Sequence, residues 1–187
     1  MATARTSGRE TEIKLAVGSA AWARRLLGRF GFRVFQPRAF ESNVVFDTRG
    51  LRLRKSGVLL RVREARRNAI LTYKGPATNG RHKSREELEV IASNGRTLQT
   101  ILERLGFERV FRYEKYRSEY RGTGSGLVTL DETPIGVFLE LEGPPQWIDR
   151  TARRLGFAER HYITASYGRL YLEWCKDRKC KPGNMVF

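Results

Sequence analysis

Two kinds of hydrophobic periodicity alternate along the chain. Apolar residues at helical spacing run into a Gly-Phe pair three times: Trp22, Leu26, Leu27 and Phe30 before Gly31; Leu98, Ile101, Leu102 and Leu105 before Gly106; Ile148, Ala152 and Leu155 before Gly156. The spacing predicts three amphipathic helices, each stopped by a left-handed glycine, with the following Phe packing back on the last turn. A fourth helix is predicted from about Thr164, with Tyr167, Leu170, Tyr171 and Trp174 along one side and Gly168 as a weak point. The first two helices lead into similar strings, Phe32-Arg-Val-Phe35 and Phe107-Glu-Arg-Val-Phe111, a hint of a duplicated half. Most of the remaining chain alternates with period two. Turn signals at Lys55-Ser56-Gly57, Gly75 to Gly80, Gly122 to Gly126 and Thr133-Pro134 cut it at hairpin spacing, which predicts a largely antiparallel sheet.

The polar members of these alternating runs are nearly all ionic. Glu10, Glu12 and Lys14 share one strand face; Arg61 and Arg63 share another; Lys74 follows Thr72; Arg85, Glu87 and Glu89 share a fourth; Lys115 and Arg117 a fifth; Glu140 and Glu142 follow Phe138, after Asp131 on a short run of its own. A solvated outer sheet face would also be charged. Like charges at i, i+2, as in Glu10 with Glu12 or Glu140 with Glu142, repel, and a surface chosen only for solubility intersperses the signs. A closed barrel would instead turn every such face toward one lumen. The predicted inward acids are Glu10, Glu12, Glu87, Glu89, Asp131, Glu140 and Glu142. The predicted inward bases are Lys14, Arg61, Arg63, Lys74, Arg85, Lys115 and Arg117. Carboxylates gathered toward one side would hold Mg²⁺ or Mn²⁺, hard cations that prefer oxygen, while the bases grip phosphate oxygens.

The bulk numbers narrow the partner. The 187 residues suit one domain, read as a polar tail over residues 1–8, a single body over 9–175 and a basic tail over 176–187 broken by Pro182 and Gly183. The net charge of +16 predicts attraction for polyanions, which includes nucleic acid, although no nucleic-acid motif accompanies the basic pairs Arg24-Arg25, Arg66-Arg67 and Arg153-Arg154. Nucleic acid is therefore expected to bind only nonspecifically. No run approaches a membrane span and Met1 to Glu10 lacks the apolar core of a secretory signal, so a cytoplasmic location is expected. Two cysteines, Cys175 and Cys180, and two histidines, His82 and His161, leave no zinc-finger or Cys-His spacing; the thiols are read as reduced.

Glu10-Thr-Glu-Ile-Lys14 fits Glu-x-Glu-x-Lys. Followed in order by Leu60-Arg-Val-Arg63, Leu71-Thr-Tyr-Lys-Gly75, Arg85-Glu-Glu-Leu-Glu89, Arg117, Asp131, Ile135-Gly-Val-Phe-Leu-Glu-Leu-Glu-Gly143 and Ser166-Tyr167, it resembles the CYTH family, the triphosphate tunnel metalloenzymes. That group includes class IV adenylate cyclases, inorganic triphosphatases and thiamine triphosphatases. The resemblance runs from about Glu10 to Trp174 and implies an α+β fold: an eight-stranded antiparallel barrel, or tunnel, with helices packed outside. It also implies a catalytic set of Glu10, Glu12, Lys14, Asp131, Glu140 and Glu142. In it, Glu10, Glu12, Glu140 and Glu142 would bind the metal, assisted by Asp131 and by Glu87 or Glu89. A triphosphate-containing small molecule would be held by Lys14, Arg61, Arg63, Lys74 and Arg117, with Arg85 and Lys115 in the same basic set. Cyclases of the family often carry His-Phe shortly before Glu-x-Glu-x-Lys; Thr3 to Arg9 has neither, which favours hydrolysis over cyclisation of ATP. A polyphosphate-binding scaffold without catalysis is a further alternative, although all the implied ligands are present.

Overall fold

The computed structural model describes residues 8–66, 68–78 and 80–187. The N-terminal tail expected over residues 1–8 therefore lies outside the described residues except for Gly8, as do Arg67 and Asn79. Eight strands close into a barrel: β1 (Gly8–Val17), β2 (Arg33–Thr48), β3 (Leu59–Ala65), β4 (Asn68–Lys74), β5 (Lys83–Ala92), β6 (Phe107–Arg121), β7 (Leu127–Thr133) and β8 (Gly136–Glu142), in the order β1-β5-β4-β3-β2-β6-β7-β8. All the pairings are antiparallel. The connectivity repeats itself, since strand, helix and three-stranded meander describe both β1 to β4 and β5 to β8.

Among the described residues five α-helices accompany the barrel: α1 (Ala20–Arg29), α2 (Arg52–Lys55), α3 (Gly95–Arg104), α4 (Pro145–Arg154) and α5 (Tyr167–Asp177). Ser19, Asn94 and Ser166 cap α1, α3 and α5 by accepting from Trp22, Thr97 and Arg169 backbone N–H groups at 3.2, 2.9 and 3.3 Å. Gly31, Gly106 and Gly156 stop the three Gly-Phe helices at φ of 79°, 88° and 89°. Behind two of them, Phe32 and Phe157 N–H return to Leu27 and Ala152 carbonyls at 3.0 and 2.9 Å, the bonding of a Schellman end. α5 begins at Tyr167, three residues after the expected start.

The strands are inside out relative to an ordinary half-buried sheet. Ile13, Leu15, Val128, Leu130, Leu139 and Leu141 point away from the lumen into one core with Ala23, Leu27, Ile148 and Ala152 of α1 and α4. Phe46, Val62 and Ala69 do the same against Leu102 of α3. Trp147 closes the first core against Gly126, where a Cβ would lie 2.2 Å from its ring, so only glycine fits there.

The C-terminal segment is anchored rather than loose. β5 pairs with β1 only as far as Glu12, and β7 reaches β6 only over Tyr116–Tyr120, so both partners keep an open edge. Residue Ile163 fills the first, exchanging backbone hydrogen bonds with Lys14 at 2.8 and 2.9 Å. Met185 fills the second, bonding to Arg112 and Glu114 at 2.9 Å each. Residues 163–185 thus straddle the β7–β8 hairpin, and α5 sets Tyr167 against Phe138 with ring centroids 5.6 Å apart.

Candidate functional site

With the apolar faces committed to the outer cores, the period of two turns the ionic faces inward. Every predicted inward acid and base follows this phase, and most are buried: Glu10, Glu12, Lys14, Arg61, Lys74, Lys115, Asp131 and Glu140 are all under 9% exposed. Charges removed from water to this degree require partners, and the lumen supplies them strand by strand.

Lys74 bridges Glu10 at 2.5 Å and Glu87 at 2.9 Å, with Arg85 Nε 3.6 Å from Glu10. Glu89 accepts from Arg63 at 3.2 Å and from Thr72 at 2.8 Å, and lies 3.7 Å from Arg61. Arg61 in turn donates to Thr72 and to Tyr113 at 3.1 and 3.0 Å. On the other side Asp131 receives Lys115 at 2.8 Å, Arg117 Nε and Nη2 at 2.7 and 2.6 Å, and the Tyr167 hydroxyl at 2.8 Å. Arg117 also donates to Glu140. The Lys14 and Lys115 ammonium groups lie 5.3 and 5.2 Å from the Tyr167 ring centroid.

Glu12 and Glu140 meet at a single atom. Lys14 Nζ is 3.1 Å from Glu12 and 3.3 Å from Glu140, and Lys83 adds a second ammonium 2.9 Å from Glu12. Burial alone would raise both carboxyls; Lys14 and Lys83 outweigh it for Glu12, Lys14 and Arg117 for Glu140, and both are held well below the carboxylate range. Burial and the neighbouring Lys14 and Arg85 charges push the Lys83 ammonium down, against the pull of Glu12. Tyr167 is pushed well up by burial and by Asp131, so its phenol stays protonated and donates.

Sequence reasoning missed Glu41, Asn43, Lys83, Tyr113 and Tyr167 as lumen residues. Lys83 continues the Arg85-Glu87-Glu89 face by one step, and Glu41 with Asn43 form an i, i+2 pair opposite Val44 and Phe46; both signals were present. With Glu41 and Lys83 added, acids and bases match in number, so the net +16 belongs to the rest of the chain. The acids are interleaved with bases, and Glu12 and Glu140 come together around the Lys14 ammonium. Among the described residues no three carboxylates form a preassembled cage, because bases are interleaved between them. Glu142 stands on the Glu140 face, paired in register with Glu12, and is half-buried.

The CYTH domain matches residues 8–164 of the chain. The protein belongs to the CYTH family. A Methanocaldococcus jannaschii relative, provisionally named an adenylate cyclase, is 31% identical over 133 residues, 71% of this chain and 75% of its own. The solved structure of a Pyrococcus horikoshii protein superposes with a TM-score of 0.76 at 26% identity, covering 88% of this chain and 98% of that one. A Hippeastrum protein, provisionally named an adenylyl cyclase and described as having a dominant triphosphatase activity, shares the fold at a TM-score of 0.62 and 19% identity, over 88% and 95% of the two chains. Among the described residues no helix is long and apolar enough to cross a membrane.

Proposed function

We propose that this CYTH protein is a divalent-metal-dependent phosphohydrolase acting on a triphosphate drawn into its lumen. The observation that carries the reading is the convergence of Glu12 and Glu140, from neighbouring strands, on the one cationic atom Lys14 Nζ, with arginines facing them across the barrel. Two ionised carboxylates already stabilise positive charge at that point, and every donor is oxygen, a set that suits a hard cation. Glu12 and Glu140, with Glu10 and Glu142, would hold Mg²⁺ or Mn²⁺, and Asp131 with Glu87 or Glu89 would assist. When bound, the metal supplies Lewis-acid polarisation of a phosphoryl oxygen.

The chain's own residues do the rest electrostatically. Arg61, Arg63, Lys74, Arg85, Lys115 and Arg117 trade their carboxylate partners for phosphate oxygens and neutralise charge that develops on them. Lys14 is fixed between two carboxylates and orients against the chain of phosphates. Tyr167 keeps Asp131 aimed at Lys115 and Arg117, which holds those bases in place. No covalent intermediate is needed.

A second reading, conversion of ATP to cyclic AMP and pyrophosphate, is favoured by the name of the Methanocaldococcus jannaschii relative. One assay separates the two. Purified protein is incubated with tripolyphosphate, ATP and thiamine triphosphate under Mg²⁺ or Mn²⁺ and the products are identified. Orthophosphate is expected; cyclic nucleotide with pyrophosphate would replace hydrolysis by cyclisation, and no product from any substrate would defeat both. The outer basic surface is expected to attract nucleic acid only through charge, so RNA binding should vanish with salt.

A further inference from the structure

The lumen wall is not evenly satisfied. On β1, β7 and β8 the buried carboxylates are matched by Lys14, Lys83, Lys115 and Arg117. On the inward face of β2, Glu41 has only a distant cation and Asn43 has no partner. Among the described residues, the buried side-chain atoms without a hydrogen-bond partner are Glu41 Oε2, both polar atoms of Asn43, and the Nε atoms of Arg61, Arg63 and Arg85. Asn43 is fully buried, and it sits beside Arg63 on one neighbouring strand and Tyr113 on the other. Glu41, two residues away on the same face, has Lys115 Nζ no closer than 3.7 Å.

An unpaired buried amide or carboxylate oxygen costs about 1–3 kcal/mol, more for the charged group, so a fold retains such a pair where something else completes it. The chemistry of the orphans says what. Arg Nε atoms and Asn43 Nδ2 donate, and phosphate oxygens satisfy them. Glu41 Oε2 and Asn43 Oδ1 accept, and a phosphate chain, which has only acceptors at neutral pH, leaves them bare. Burial would raise the Glu41 carboxyl, but Lys115, Arg63 and Arg117 bring it down to about 2, so at neutral pH it cannot donate in its own right. The completing group must carry hydroxyl or amine hydrogens and must lie next to the phosphates held by Arg61 and Arg63.

We propose that Asn43 and Glu41 form a specificity subsite for the non-phosphate part of an organic triphosphate, binding its hydroxyl or amine donors as a nucleoside would present them, and so favour that class over bare tripolyphosphate. The inference rests on the triphosphate reading above and narrows its substrate.

Binding under EDTA tests it apart from turnover. Calorimetric Kd values for ATP, 2′-deoxy-ATP and tripolyphosphate are compared in the wild type, Asn43→Leu and Glu41→Gln, with Asn43→Ala standing in should the leucine variant fail to fold. Each substitution should weaken ATP relative to tripolyphosphate by about 10-fold, the loss of one or two buried hydrogen bonds. A ratio within about 2-fold of wild type in the folded variants overturns the subsite, since 10-fold corresponds to one such bond; so does a wild type that binds tripolyphosphate but not ATP, or neither. A weaker grip on 2′-deoxy-ATP than on ATP in the wild type, abolished in Asn43→Leu, assigns the donor to the ribose; an equal grip assigns it elsewhere on the nucleoside and leaves the ATP ratio as the deciding reading. Phosphate release with Mg²⁺ or Mn²⁺ is scored separately: ATP binding through Asn43 without product keeps the subsite and removes the hydrolytic reading, and turnover with an unmoved ratio does the reverse.

Discussion

Leu139 and Glu140 are chain neighbours on β8 and face opposite worlds. Leu139 is fully buried between the barrel and its outer helices, among Ile13, Leu130 and Ile148. Glu140 is almost as deeply buried, yet among the cations Lys14 and Arg117 and the Thr129 hydroxyl donor. The outer face holds the fold together by removing apolar area from water, about 25 cal/mol per Å². The inner face contributes little net stability, because desolvating each ion offsets what its partner returns. One strand therefore separates stability from chemistry by side, and substitutions on the two faces should fail in different ways.

The largest effect is expected from Glu140→Gln. It keeps the shape but replaces one acceptor oxygen by an NH₂ donor and removes one of the two charges that meet at Lys14, and metal-dependent turnover should fall by at least ~100-fold, the scale of losing a preorganised electrostatic group. Lys14 retains Glu12 and Arg117 retains Asp131, so the circular dichroism spectrum and a cooperative unfolding transition should persist. Unchanged turnover would remove Glu140 from the proposed site. Leu139→Ala should do the opposite: a loss of about 2–5 kcal/mol in urea unfolding, with kcat/KM of the remaining folded protein close to wild type. A large fall in kcat/KM without loss of stability would erase the division between faces.

A smaller effect is expected where the two faces are joined. Tyr167 comes from α5, outside the barrel strands, and its hydroxyl reaches Asp131. Tyr167→Phe removes one donor from a carboxylate that keeps Lys115 and Arg117, so the cost should be about 1–2 kcal/mol. Because Tyr167 positions the bases through Asp131, KM for the triphosphate should rise more than kcat falls, a split that a purely structural tyrosine would not produce.

How much of this was legible follows from where each residue sits in its repeat. The paired charges on β1, β3 and β8 were readable because they alternate with Ile, Leu or Val, those on β5 and β6 from the i, i+2 charges alone, and the helix ends because Gly-Phe is a local signal. The β2 contribution was legible only locally, as the i, i+2 pair Glu41 and Asn43 between Ala39 and Val45. That strand carries register shifts at Val34/Gln36, Gln36/Ala39 and Val45/Phe46, with Pro37 inside one of them, so its inward face does not keep a single phase. Helix α2 has four residues and no period to read; the Asp47 carboxylate holds it by accepting from Leu53 and Arg54 N–H at 3.0 and 2.9 Å. The C-terminal segment reads as a loose basic end because its partners, the open edges of β1 and β6, exist only once the barrel is closed.

The smallest expected effect probes the inner face by pH. Glu41 has a folded-state value of about 2 against an ordinary 4.5, burial being outweighed by Lys115, Arg63 and Arg117, and Glu12 and Glu140 are shifted the same way. A carboxyl depressed in the folded state favours folding wherever it is ionised in both states, so its contribution is complete above pH 4.5 and drains as pH falls toward 2. The urea midpoint should stay level from pH 7 to 5 and decline below 4.5. Glu41→Gln removes one titrating group from that window and should make the decline shallower while leaving Glu12 and Glu140 to supply the rest. Leu139→Ala should instead lower the curve by a constant amount at every pH, because its loss is in apolar packing. Parallel curves for wild type and Glu41→Gln would mean that the Glu41 charge is balanced as well in the unfolded chain as in the lumen, and the ionic face would then contribute nothing through that residue.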